Sequence, residues 1–181
     1  MAAARRKQQR PQRGGTATGP ASRGPRRYWL FKSEPGSYGF DQFEHDGHTF
    51  WSGVRNYQAR NLLRDEIRVG DGVLFYHSNA EPTAVVGIAK VVRAGYPDPT
   101  QFDASSPYHD PDSDPAAPRW FVVDIACAGR MRQPIARDQL KQEPALADMV
   151  VLQRGSRLSV QPVREGEWRR LLELGGQVET W

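Results

Sequence analysis

Four short runs rich in β-branched and aromatic residues constrain this chain most: Tyr28-Trp29-Leu30-Phe31, Val73-Leu74-Phe75-Tyr76, Thr83 to Val92 and Arg119 to Ile125. The first two are apolar on both faces, as strands inside a barrel or beneath a helix would be. The third alternates and is broken by Gly87, where a bulge or a close backbone approach is expected. Ser37 is placed to cap a short helix through about Glu44. Ile135 to Lys141 predicts a short helix, and Ala145 to Leu152 reads as helical. Ser156 to Pro162 reads as a strand or an extended loop. Behind Glu165-Gly166-Glu167, the residues Trp168, Leu171, Leu172 and Gly175 fall on one helical face. The fold class is therefore α+β, with no internal repeat.

A second stretch runs Trp51-Ser52-Gly53-Val54-Arg55-Asn56-Tyr57-Gln58-Ala59-Arg60-Asn61. Gly53 marks a turn, and Asn56 is suited to cap the helix that follows. That helix carries Ala59, Leu62, Leu63 and Ile67 on a core-facing stripe and Tyr57, Arg60, Asn61 and Arg64 on the other face. A flat ring, two cations and an amide at a helix start suit a ligand with a planar part and a phosphate. Spacing alone equally fits a core Trp beside a solvated polar face.

Charge is unevenly distributed. Residues 1–27 hold eight of the 25 Lys and Arg and no acid, so the other 154 residues carry 17 basic against all 21 acidic groups, a net of −4. The segment 1–27 lacks aromatic and β-branched apolar residues and is expected to be a disordered basic tail. It reads equally as a phosphate-binding arm or as an inert extension. The mildly acidic remainder argues against broad phosphate neutralisation, so nucleic-acid recognition by it would be local, at a pocket. One cysteine, Cys127, excludes an internal disulfide and multi-cysteine zinc sites, and reads as a buried inert thiol. With no membrane-length apolar run, the expectation is a soluble intracellular monomer, cytoplasmic in a bacterium or nuclear in a eukaryote.

Catalytic and metal motifs are missing. There is no Gly-rich phosphate loop, dinucleotide fingerprint or zinc-protease helix, and His45 and His48 flank a turn glycine as surface histidines. The span from Pro97 to Pro118 has six prolines and five aspartates without calcium-loop spacing. It predicts an ordered surface loop around Tyr96 with a mobile tip. Ser33, His77, Ser78 and Asp98 lack nucleophile-elbow spacing. Polar strand tips of this kind suit hydrogen bonding to a small ligand.

The blocks Tyr28 to Pro35, Trp51 to Asn61, Phe75 to Asn79, Tyr96 to Asp98 and Ser156 to Pro162 resemble, in order, the signature blocks of the EVE domain. The resemblance spans residues 28–174. It implies a PUA-like fold, a small mixed β-barrel with surrounding helices over 28–175, followed by a tail, 176–181. EVE domains are similar to YTH domains and are regarded as readers of modified bases in DNA or RNA. Lys32-Ser33 and Trp51-Ser52 resemble the YTH Lys-Ser and Trp-Ser pairs. Asn56 matches the Asn of the YTH Gly-Asn pair, with Arg55 in place of the glycine.

The expected partner is thus DNA or RNA carrying a modified base, read without chemistry, cofactor or metal. The resemblance places Trp51 at the wall of an aromatic cage, in an open pocket rather than in the core. Tyr76 and Trp120 are further candidate aromatics that no YTH motif aligns. Ser33, Asn56, Ser78 and Asn79 would read the base edge, and Arg55, Arg60 and Arg157 the flanking phosphate. Ser52, Val54, Tyr57, His77 and Ser159 complete the candidate set. The rival readings are a glycosylase- or nuclease-like enzyme using Asp98 or Glu34, and a small-molecule or protein-binding module.

Overall fold

A computed structural model describes residues 24–181. The predicted disorder of the basic tail therefore falls outside the described residues for positions 1–23. Six strands form one mixed sheet in the order β2-β5-β4-β3-β1-β6. These are β1 (Tyr28–Ser33), β2 (His48–Phe50), β3 (Gly72–His77), β4 (Ala84–Pro97), β5 (Phe121–Ala136) and β6 (Val160–Val163). β1 runs parallel to β3 and antiparallel to β6, and the other pairings are antiparallel. The sheet is open in its pairing, not a closed barrel: among the described residues nothing bonds β2 to β6.

Alternation along β1 builds two cores from one strand, because successive side chains take opposite faces. Trp29 and Phe31 join Phe40, Phe43, Trp51 and Phe75 on one face. Tyr28 and Leu30 join Leu74, Tyr76, Met131 and Trp168 on the other. The second face is covered by α5 (Glu165–Gly175), whose Trp168, Leu171, Leu172 and Gly175 are all buried, as the spacing predicts. The buried Glu167 closes its first turn by accepting from the Arg164 amide at 2.7 Å. Gly87 sits at a register shift between β3, β4 and β5, and an added Cβ would collide with the Phe40 ring. Both expected consequences of that glycine are present.

Several predicted boundaries move. The stretch expected to be capped by Ser37 is two helices, α1 (Pro35–Tyr38) and α2 (Phe40–Asp46), with Ser37 inside the first. Tyr96 belongs to β4 rather than to a loop, held by a hydrogen bond to Asp124 at 2.5 Å. β5 runs on through Ile135 where a helix was expected, and α4 (Arg137–Gln142) begins only after it. Pairing of Ile135 with Val85 supplies the ladder that local propensity could not foresee. Ala145 to Leu152 resolves into two 3-10 turns, Pro144–Leu146 and Val150–Leu152. The C-terminal segment folds back, with Trp181 edge-on to Trp168 at 6.4 Å. No helix among the described residues is long and apolar enough to cross a membrane.

Candidate functional site

The first face is covered by short pieces instead of one long helix, and they leave a solvent-open cleft of about 630 Å³. It lies at the carboxyl ends of the parallel strands β1 and β3, which deliver Lys32, Ser33 and Glu34, and Ser78. The sheet curls so that both of its edges contribute. Thr49 and Phe50 come from β2, and Arg157 and Ser159 from the segment entering β6. Trp51 to Val54 form the floor, and Tyr108 reaches in from the proline-rich loop.

Trp51 is not the open cage wall that was expected. Its ring packs on Phe31 at 5.1 Å and edge-on to Phe75 at 5.4 Å, and only 7% of the residue stays exposed. It is a core residue with one margin at the cleft. The exposed rings at the cleft are Phe50, 41% exposed, and Tyr108, 40% exposed. The Tyr108 ring packs against Gly53, whose φ is +78° and where a Cβ would stand 2.7 Å from that ring. Glycine is required there for both reasons. No motif pointed to Tyr108; the turn glycine Gly53 is the one signal that something approaches.

Around these rings the cleft is polar. Lys32 donates through Nζ to the Ser156 carbonyl at 3.1 Å, and burial, with the charge of Arg137, lowers its pKa. Ser33 donates to the Tyr38 carbonyl at 2.6 Å. Tyr38, also lining the cleft, has its phenol pushed up to about 12 by burial and by its bond to Asp46, so it stays neutral. Ser37, Ser52, Ser78 and Ser159 present hydroxyls that can donate or accept. Glu34 is the one carboxylate lining the cleft among the described residues, and its Oε2 accepts from Asn79 at 3.3 Å.

Other candidates lie elsewhere. Tyr76 is buried in the opposite core, because its register on β3 points it away from the cleft. His77 accepts from the Phe40 amide through Nε2 at 3.1 Å, which ties α2 to β3. Asn79 stands at the rim with φ +50°. Asn56 caps α3 (Tyr57–Asn61), accepting from the Gln58 and Ala59 amides at 2.9 and 3.1 Å. Those amides are thereby taken, so the expected anion site at this helix start is filled by the protein's own cap. The helix widens into a π turn, Leu62–Glu66, with the predicted Ala59, Leu63 and Ile67 buried.

Arg55 is held by Asp98 at 2.9 Å and by Thr100 at 3.2 Å, and it also donates to the Tyr108 carbonyl. Asp98 itself is fully buried, which removes it from any role as an exposed carboxylate. Trp120 is buried under the Tyr57 ring, stacked at 5.0 Å, and donates its indole N–H to Asp110 at 2.6 Å. Arg60 donates to the Arg119 carbonyl at 2.7 Å. Cys127 lies half-buried in β5, and burial pushes its thiol up, which makes it a poor nucleophile. No metal-binding cluster of His, Cys, Asp and Glu occurs among the described residues.

The open mixed sheet, the helix-covered second face and the cleft at the strand ends define a PUA-like fold. Residues 27–174 match the EVE domain, and the chain belongs to that family. Rat thymocyte nuclear protein 1 is 39% identical over 166 residues, covering 81% of this chain and 73% of that protein. A hypothetical protein from Leishmania major is similar in structure, with a TM-score of 0.80 and 38% identity over 84% of this chain and 96% of its own. Human THYN1, solved in complex with 5-methylcytosine-containing DNA, has a TM-score of 0.76 and 34% identity, covering 84% of this chain and 99% of that one.

Proposed function

We propose that the cleft reads a single modified base in DNA, a 5-methylcytosine or a base of like shape, turned out of the helix, and performs no chemistry on it. One observation carries this reading: a cleft of about 630 Å³, lined by aromatic rings and serine hydroxyls, in a chain similar to a human protein solved with 5-methylcytosine DNA. The volume is that of a small-molecule site, enough for a nucleoside. Tyr108 and Phe50 supply ring surface for stacking, while Ser33, Ser52, Ser78 and Ser159 reach the base edge. Glu34 accepts from an exocyclic amine. Lys32 and Arg157 face the sugar and phosphate. The reading as a binder rests on Asp98 being buried and Glu34 being the single carboxylate at the cleft among the described residues.

A methyl group buried against a ring contributes about 0.8 kcal/mol, so methylation should strengthen binding about fourfold. The test is a titration with oligonucleotides that differ only in cytosine or 5-methylcytosine, in DNA and in RNA. We expect the methylated DNA to bind at least about fourfold more tightly. Equal affinity for both cytosines would refute the reading, and preference for RNA would reassign the partner. Base release or strand cleavage on incubation would favour the enzyme alternative.

A further inference from the structure

Beyond the cleft, a series of ring and guanidinium contacts leads from the exposed Tyr108 to the exposed Tyr57 by way of the buried Trp120. It starts at Tyr108, on the cleft wall. The Arg55 guanidinium lies 5.6 Å from the Tyr108 ring and 5.3 Å from the Trp120 ring. Trp120 stacks on Tyr57 at 5.0 Å, and Arg60 lies 4.9 Å from the Tyr57 ring. Two segments distant in sequence build this strip: α3 with the residues before it, and the proline-rich loop with the residues that lead from it into β5. Tyr57 is 55% exposed although its ring is stacked, an unusual fate for an aromatic side chain in a protein with two filled cores.

From this we infer that the strip is the docking track for the nucleotide next to the turned-out base, with Tyr57 as its stacking surface. The inference rests on the base-reading function proposed above and adds where the strand goes. The occupant follows from the chemistry. An alternation of flat rings and planar cations fits stacked bases, which present a π-face whatever their sequence. It is also continuous with the cleft through the single ring of Tyr108.

Electrostatics makes the strip distinctive. Arg55 is compensated by the buried Asp98, and Arg119 by Asp110 and Asp112 at 3.4 and 3.6 Å. Arg60 bonds to a carbonyl and to Asn61, with no carboxylate partner among the described residues. A strand on this track is therefore held mainly by stacking, with one phosphate contact at Arg60. The contribution of this surface to binding then depends only weakly on salt.

The experiment uses the full chain, a DNA oligonucleotide with one 5-methylcytosine, and the same oligonucleotide with an abasic site on its 5′ or 3′ side. Tyr57→Ala should weaken binding of the intact oligonucleotide about tenfold, and Tyr57→Phe should restore it. One of the two abasic oligonucleotides should lose a similar factor and show no further loss with Tyr57→Ala, the non-additivity of two partners in one contact. Arg60→Gln should lower the slope of log affinity against log salt by about one. Free 5-methyldeoxycytidine should bind wild type and Tyr57→Ala alike. An intact-oligonucleotide affinity within twofold of wild type for Tyr57→Ala, or strictly additive losses, would overturn the track alone if the methyl preference persists. Loss of free-nucleoside binding in Tyr57→Ala would also overturn it, by moving Tyr57's role into the cleft. A wild-type protein that ignores the methyl group removes the base reading and the track together.

Discussion

The two faces of the sheet are built from the same strands and differ in what covers them. On the second face, one eleven-residue helix, α5, lays Trp168 flat on Tyr28 at 4.8 Å and seals the layer. On the first face, α1, α2, the Gly53 turn and the short α3 share the task. Discontinuous cover cannot close over a curled sheet, and the cleft is the gap it leaves. The first face buries more rings, Trp29, Phe31, Phe40, Phe43, Trp51 and Phe75 against Tyr28, Tyr76 and Trp168, but nearly all of them are enclosed, so ring content alone does not make a site. A site arises where rings are left without a complete lid.

The largest effect is expected on the sealed face. Trp168→Ala removes a fully buried ring and should cost about 3–5 kcal/mol, seen as a fall in the denaturant midpoint at unchanged slope. Affinity for the methylated oligonucleotide, measured below the melting transition, should not change. A tenfold loss of affinity would show that the two faces are coupled and break the contrast.

Trp51→Ala sharpens it from the other side. A ring packed on Phe31 and Phe75 should be worth about 3 kcal/mol of stability, and its loss should also weaken binding, because its margin forms the cleft floor. Both readouts should move together at this position and separately at Trp168. Gly53→Ala comes next: a non-glycine residue at φ +78° costs about 1–3 kcal/mol, and the new Cβ displaces Tyr108. Affinity should fall by more than stability alone explains, and the methyl preference should shrink. An unchanged preference would remove Tyr108 from the cleft wall.

His77 links α2 to β3 beneath the cleft, and burial lowers its pKa below the ordinary 6.5 while Asp41 opposes the shift. Because the folded state holds the proton less tightly than the unfolded state, the neutral ring's contribution is complete above about pH 6.5. It is lost as pH falls below that value and levels off beneath the folded pKa. The urea midpoint should therefore drop between pH 7 and 5 more steeply in wild type than in His77→Gln. Parallel curves would place the pH sensitivity elsewhere. The smallest effect belongs to Ser159→Ala, with stability within about 0.5 kcal/mol of wild type and a modest loss of affinity read by titration.

Much of the layout was legible from residues alone. Trp168, Leu171 and Leu172 at helical spacing, the Asn56 cap and the Gly87 irregularity are local signals with local causes. The same holds for the apolar β1 and β3, which a chain must pair and cover wherever they lie. The Lys32-Ser33 and Trp51-Ser52 blocks led to the cleft, and they line it. What they could not convey is which atoms meet. Tyr76 and Trp51 are both aromatic and both beside polar residues in sequence, yet strand register sends one to the opposite core and long-range packing buries the other.

Tyr108 is the clearest case of what only tertiary structure decided. It sits in a segment whose prolines and aspartates carry no periodicity, 55 residues beyond the glycine it covers. Asp98 likewise reads as an available carboxylate until Arg55 and Thr100 close on it. Local sequence determines propensity, capping and alternation, because these depend on neighbours a few bonds away. Contact between distant segments depends on the curl of the whole sheet, which no short window of residues contains.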